Sequence, residues 1–276
     1  MDYPRISIVT PSYNQAKFLP ETIESIQRQG YPNLEHIIID GGSTDGSVDI
    51  IRKYERHLAY WTSGKDSGQS EAINKGFRKS TGVLFNWINS DDVLFPNALR
   101  RIAETYVRDP DAAIFFGDHA RSDHEAHIKR ISAVPSPSAV MPDRWVFPFG
   151  QQSTFVASRF FRRVGGVRED LHCIMDMDLY YRIFVAGGRC SRVRGFIGLI
   201  REHPECKGVA RIAEWAGETT RVCEEYHILG TAHRRGKMWT RMRRLIDGSL
   251  FRSYLLTRAW KGRNPWDGHD NCVNAK

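Results

Sequence analysis

The sequence predicts an α/β protein with a mostly parallel central sheet flanked by helices, followed by a helical C-terminal extension. Two observations carry this. Over residues 1–118, short apolar runs rich in β-branched residues alternate with segments of helical spacing, and the runs are nearly continuous rather than polar–apolar alternating. Strands of that kind are covered on both faces, as in a parallel sheet with crossover helices. Polar clusters also follow each of the first five strands, at residues 12–14, 40–45, 65–69, 89–92 and 117–118. Ligands of open parallel sheets bind beyond the carboxyl ends of the strands, so these clusters build one site.

The elements follow in order. "RISIVTPSY" is a strand, and "FLPETIESIQRQ" a helix with Phe18, Ile23 and Ile26 on one face and Pro20 near its first turn. "LEHIIIDGGSTDGS" is a strand running into a Gly/Ser/Asp loop, and "VDIIRKYERHL" a helix. "AYWTSGKDSGQ" is a short strand and loop before the helix "SEAINKGFRKS". "GVLFNWINSDD" is the fourth strand, "PNALRRIAETYVRD" a helix opened by Pro96, and "AAIFFGDHA" the fifth strand. Beyond residue 119 the rhythm changes. A segment with Pro135, Pro137, Pro142 and Pro148 reads as a long loop suited to shaping a pocket. "QQSTFVAS" is a returning strand, "DMDLYYRIFVAGG" a helix, "CSRVRGFIGLIREH" a strand, and residues 209–230 and 234–260 two helices. Trp87 and Tyr60 are expected in the core.

Composition narrows the class. The five cysteines, Cys173, Cys190, Cys206, Cys223 and Cys272, are scattered without a Cys-x-x-Cys pair, as expected of thiols in a reducing compartment. Neither a leader nor an apolar run of membrane-spanning length is visible, so a cytoplasmic protein is expected. The net charge is +8, yet residues 234–263 hold ten Lys/Arg against Asp247, leaving −1 on the rest of the chain. A nucleic-acid-binding module, which the basic pI of 9.3 suggests, is therefore disfavoured: the acids of the body gather on one edge and would repel phosphate.

Those acids pose a problem in "LFNWINSDDVLF". Two carboxylates about 4 Å apart repel by roughly 4 kcal/mol at an effective dielectric near 20. Asp91 and Asp92 either face water in a plain turn or share a cation. The chain has neither a Gly-x-Gly-x-x-Gly dinucleotide loop nor a P-loop. A bound diphosphate would then need a metal, and Mg²⁺ takes one or two protein carboxylates plus substrate phosphates. A nucleotidyltransferase would instead need a basic Gly-rich loop after the first strand, where "PSYNQAKF" has no Gly.

The strings "IVTPSYNQAKFLPETIESIQRQ", "IIIDGGSTDGSVDII", "DSGQSEAINKGFRKSTGVLFNWINSDD" and "DMDLYYRI" together resemble the family-2 glycosyltransferases, whose nucleotide-sugar-binding fold is usually called GT-A. The resemblance covers about residues 5–205. It implies transfer of a sugar from a nucleotide-diphospho-sugar, UDP-sugar favoured, to a glycan or lipid-linked saccharide, assisted by Mn²⁺ or Mg²⁺. Residues 1–208 would form the transferase domain, with 1–118 as nucleotide-binding half and 119–208 as acceptor half, and 209–276 a basic extension. Position by position, it implies that Pro11, Tyr13 and Asn14 belong to the first nucleotide-contacting loop. Asp40 would contact the base, and Asp66 with Gly68 would close over base and ribose. Asp91 stands on the nucleotide side of the metal-binding Asp92, and His203 stands where many members place a histidine near metal and diphosphate. Asn89 departs from the family's Asp-x-Asp motif. Asp176 matches the general base that opens a helix, with Met175 in place of the usual Glu. A helix N-cap role for Asp176 stays open, and Asp178 competes for the base role. Asp118 and Gln152, with Gln151, are expected on the sugar or acceptor side, a strand-end hydrogen bond staying open for the two glutamines. Processive members carry Gln-x-x-Arg-Trp downstream of the base; "MPDRW" at 141–145 lacks the Gln and lies upstream, so a non-processive enzyme is expected.

The tail allows two outcomes. Trp239, Met242, Leu245, Ile246, Leu250, Tyr254 and Leu255 lie among its arginines. A basic helix of this kind can rest on an anionic membrane, or the apolar residues can pack on the body.

Overall fold

The computed structural model describes residues 3–228 and 230–267, so Cys272 lies outside the described residues. Its strands are β1 (Ile6–Ser12), β2 (Leu34–Asp40), β3 (Tyr60–Ser63), β4 (Leu84–Trp87), β5 (Val93–Leu94), β6 (Ile114–Ser122), β7 (Ile128–Ser132), β8 (Thr154–Ala157) and β9 (Cys190–Arg201). Its helices are α1 (Leu19–Gln27), α2 (Ser47–Tyr54), α3 (Gln69–Lys79), α4 (Ala98–Arg108), α5 (Ser158–Arg163), α6 (Met175–Val185), α7 (Lys207–Ala210), α8 (Ile212–Glu225), α9 (Gly230–Ile246) and α10 (Ser249–Trp260).

One mixed sheet runs in the order β3-β2-β1-β4-β8-β6-β9-β5, with β7 paired to β6. Strands β1 to β4 are mutually parallel. β8 is antiparallel to both β4 and β6, which restores the original direction for β6 and its parallel neighbour β9. Side chains of β1 alternate between two cores. Ile6 and Ile8 face Ile26 of α1 and Leu99 and Ile102 of α4, whereas Val9 faces Ala72 and Ile73 of α3 and the cluster around α6. Helix α3 sits very close to the sheet: a Cβ added to Gly76 would lie 2.5 Å from Val9 Cγ1. That approach fixes the loop feeding α3.

Several elements differ from the sequence expectation. The fifth strand continues to Ser122 and turns into β7, a strand defined by its partner rather than by its own pattern. The two-residue β5 exists through pairing with β9. Each expected C-terminal helix is divided, the second at Gly248, whose φ of 71° ends α9 in the left-handed region; the Asp-Gly dipeptide at 247–248 was its legible signal. Trp87 is core, but Tyr60 on the edge strand β3 is 37% exposed, with the Lys79 ammonium over its ring. The proline-rich segment forms short 3-10 turns, and its Trp145 is buried against Phe147, Tyr181 and Tyr226. The four described cysteines are free thiols.

Candidate active site

The carboxyl ends of β1 to β4 deliver the predicted residues to one edge. Pro11 is buried one residue before the end of β1, Tyr13 is exposed, and Asn14 takes a positive φ of 51°. Asn14 Oδ1 accepts from Thr44 N (2.9 Å) and its own N–H donates to Ser43 Oγ, so the loops after β1 and β2 are laced together. Asp40 is buried beneath them. It accepts from Gly42 N, Ser43 N, Ser43 Oγ and Ser63 Oγ, which makes it the post of the β2 loop rather than an open acceptor. Asp66 stands across from Gly41, where an added Cβ would meet its Oδ1 at 3.1 Å. It accepts from Gly68 N, and Gly68 holds a φ of 131° that side chains rarely adopt. Burial raises the Asp66 pKa, opposed by that N–H and by Lys75. The result is a half-buried carboxyl suited to receive an N–H from a ligand.

The acid pair divides its labour. Asp92 is 2% exposed and faces inward. Its Oδ2 accepts from Gln152 Nε2 (2.7 Å) and Asn89 Nδ2 (2.9 Å), and its Oδ1 from Arg201 N (3.1 Å). Burial and then the Asp91 charge push its pKa up, while these donors stabilise the anion. Asp91 turns the other way, its Oδ2 3.0 Å from His203 Nε2. His203 packs on the Phe18 ring and lines a cleft of about 280 Å³ shared with Asn14, Lys17, Asp45 and Glu205. Thus His203 is brought to Asp91, not to Asp92.

Asn89 shows why the missing acid is tolerated. Its Nδ2 donates to Asp92 while its Oδ1 accepts from Gln69 Nε2, whose Oε1 accepts from Lys207 Nζ. Lys207 also donates to His172 O (2.8 Å), so one polar chain joins the acid pair to the loop before α6. An Asp at 89 could not donate to Asp92. Asn89→Asp is expected to lower the metal-free Tm by several degrees, for roughly 2–4 kcal/mol of added repulsion, and Mn²⁺ should restore part of it. Equal melting temperatures in metal-free buffer would contradict this role.

Two carboxylates open α6. Asp178 is fully buried, paired with Arg182 (2.7 Å) and hydrogen-bonded by Tyr226 Oη (2.6 Å). Asp176 is half-buried and accepts Met177 N through Oδ1. Burial pushes its pKa up to about 6, with Asp178 adding to the rise and Met177 N–H and Lys207 opposing it. Helix α6 has no side-chain cap of its own. Glu218 of α8 supplies one from a distance, accepting from His172 N (2.7 Å), Cys173 N (2.9 Å) and Ile174 N (3.2 Å). Sequence reasoning missed Glu218, Lys207 and Arg201, because each acts across long sequence separations with no local pattern, and it placed Gln69 only as part of the 65–69 cluster. Arg201 clamps the acid turn through Asp91 O and His124 O and ion-pairs with Glu21.

Two residues expected on the sugar or acceptor side are held by other contacts. Asp118 sits mid-strand, bound by Arg252 of α10 (2.8 Å) and Val134 N (2.8 Å). Gln151 donates to Asn86 Oδ1 and Trp87 O and is a buried strand-end link.

The model of Glycosyl transferase family 2 matches residues 7–166. The chain belongs to that family. An uncharacterized glycosyltransferase of Rickettsia prowazekii is 27% identical over 188 residues, covering 66% of this chain and 59% of the relative. A Bacillus subtilis glycosyltransferase named for teichuronic acid biosynthesis is 33% identical over 119 residues, 41% of this chain and 46% of the relative. The family-2 chain thus spans about three-fifths or less of these relatives' length. Among solved structures, a Pyrobaculum calidifontis mannosyltransferase in complex with GDP-Man and Mn²⁺ superposes with a TM-score of 0.63 at 19% identity, covering 94% of this chain and 76% of that one. Staphylococcus aureus TarS 1–349 in complex with UDP-GlcNAc gives 0.59 at 15% identity, over 75% and 61%. These likenesses show the GT-A fold of the chain.

Whether this family-2 chain can hold a divalent cation is decided by its donors. Among the described residues no three His, Cys, Asp or Glu side chains converge on one point. Asp91 Oδ2 and His203 Nε2, 3.0 Å apart, are one carboxylate and one imidazole donor. Such a pair fits a cation whose remaining positions are filled by substrate phosphate oxygens. Asp92 already accepts three hydrogen bonds, from Gln152, Asn89 and Arg201.

Proposed function

We propose that this chain is an inverting, non-processive glycosyltransferase that moves a sugar from a nucleotide-diphospho-sugar, UDP-sugar favoured, to a glycan or lipid-linked saccharide. The contrast between Asp176 and Asp178 carries the proposal. Asp178 is locked in an ion pair, whereas Asp176 keeps a carboxyl edge free and a pKa of about 6, suited to a general base near neutral pH. Asp176 takes the proton of the acceptor hydroxyl as that oxygen attacks the anomeric carbon. The bond to the diphosphate breaks on the opposite face, and the configuration inverts. Pro11, Tyr13, Asn14 and Asp66 with Gly68 frame the nucleotide, Asp40 holding their loops. A cation between Asp91 and His203 would neutralise charge on the departing diphosphate. Gln152 positions Asp92; Asp118 acts on the acceptor side only through the loop that it ties to α10.

Residues 1–208 would form the catalytic unit, 1–118 for nucleotide and 119–208 for acceptor, with 209–276 as an extension. The free cysteines accord with a reducing, cytoplasmic compartment. Where the acceptor is lipid-linked, the enzyme works at the inner membrane face. The burial of Trp145 in "MPDRW" supports single transfers, since this tryptophan is a core residue and not an acceptor platform.

The test is a thermal-shift panel of UDP, dTDP, GDP and CDP, with and without Mn²⁺ or Mg²⁺. A ligand at about 100 times its Kd stabilises by roughly 2.7 kcal/mol. A metal-dependent shift with one nucleotide, lost in Asp91→Ala, is expected. No shift with any pair would overturn the donor site.

A further inference from the structure

The C-terminal helices turn large apolar side chains away from the body. Toward the body, α9 and most of α10 present small or polar residues, while Leu256 and Trp260 of α10 pack on the cluster around Phe95 and Phe196. A Cβ on Gly236 would lie 2.8 Å from Val146 Cγ2, and Thr240 Oγ1 donates to Ala139 O. Ser253 Oγ accepts from Ala133 N and Thr257 Oγ1 from Ile131 N (both 2.9 Å). Away from the body, α9 exposes Met238, Trp239, Met242, Leu245 and Ile246, a set at i, i+1, i+4, i+7 and i+8 that makes one stripe. Helix α10 does the same with Leu250, Phe251, Tyr254 and Leu255. All nine are between 40% and 74% exposed. Monomeric soluble proteins rarely leave so many large apolar side chains on one surface without a partner.

We propose that the outward faces of α9 and α10 form the surface by which the protein seats on an anionic lipid bilayer. Charge selects this occupant. Arg234, Arg235, Lys237, Arg241 and Arg258 are exposed around the stripes, within the segment that carries +9. A second copy would bring the same positive charges face to face. A nucleic acid would leave the apolar stripes uncovered, whereas an anionic bilayer satisfies both chemistries. Trp239 and Tyr254 are side chains of the kind that sit at the headgroup level, and the Arg243 guanidinium lies 5.2 Å from the Trp239 ring centroid. No described helix is long and apolar enough to cross a membrane. The surface stands independently of the transferase chemistry.

The test is co-sedimentation of the full chain with vesicles of phosphatidylglycerol and phosphatidylcholine, and with phosphatidylcholine alone. Binding to the anionic vesicles is expected, falling at least about tenfold with neutral lipid or 0.5 M salt. The variant Trp239→Ser/Leu245→Ser/Phe251→Ser keeps every charge and alters only exposed positions. It is expected to lose a further tenfold or more while retaining its circular dichroism and Tm. Equal vesicle binding by this variant would reduce the effect to charge alone and overturn the seating face, as would failure of the unaltered chain to bind anionic vesicles. A concentration-dependent dimer abolished by the same substitutions, without vesicle binding, would assign the face to a second copy instead.

Discussion

Asp176→Asn is expected to cut transfer by about 10²–10⁴-fold, the usual worth of a general base, with nucleotide binding unchanged. The substitution is nearly isosteric and keeps the oxygen that accepts Met177 N. It removes the capacity to take a proton and little else. The pH dependence follows from the same environment. Burial, then Asp178, holds the folded-state pKa near 6, and only the ionised form is a base. Activity should therefore fall below about pH 6 and level off above it. Removing the positive charge at Lys207 should move that limb to higher pH, because Lys207 favours the Asp176 anion. Stability runs in the opposite sense. An acid whose pKa is raised on folding from 3.8 to about 6 loses stability as pH rises between those values, by about 3 kcal/mol at neutral pH. The inactive Asn variant should accordingly melt higher than the parent at pH 7. Full activity in Asp176→Asn would end the assignment of the base, and a lower Tm would contradict the account of its burial.

Glu218→Ala is the second large effect. One carboxylate satisfies three successive N–H groups in the loop that leads into Asp176, and it reaches them from a separate helix. Buried donors left without a partner cost about 1–3 kcal/mol each, less where water enters. The expected loss is roughly 3 kcal/mol, a fall in Tm of about 6–12 °C for a chain of this size. The kinetic signature separates positioning from mere stability. Displacing the loop by about 1 Å can cost on the order of 10²-fold in kcat, whereas the KM for the donor should hold because Asp66, Asn14 and Asp91 sit on other loops. Glu218→Gln keeps one acceptor oxygen and should recover part of both losses. A lowered Tm with unchanged kcat would show that Glu218 only supports the fold.

Much of the donor half was legible. Apolar strand runs, helical spacing and turn chemistry are local properties, so β1 to β4, β6 and their helices follow from short windows. β5 and β7 escaped because two and five residues carry little pattern of their own, and their pairing partners define them. Tyr60 escaped because an edge strand and a central strand can share one composition. The division of the last helices was marked by Asp247 and Gly248, yet the outward turn of their apolar stripes was not, since periodicity gives a stripe without saying which way it faces.

The sequence by itself determined that a mostly parallel sheet would present acids and amides at one edge, because strand direction carries each following loop to the same side. Only the tertiary structure decided which acid stays available. Asp91 and Asp92 are neighbours, and Asp176 and Asp178 are two residues apart; nothing local ranks them. Asp92 is enclosed by Gln152 and Arg201, 60 and 109 residues away, and Asp178 by Tyr226, 48 residues away. Asp91 and Asp176 keep edges that those partners do not cover. A carboxylate's availability depends on the donors and the burial that folding brings to it, and these are set by proximity in space rather than along the chain.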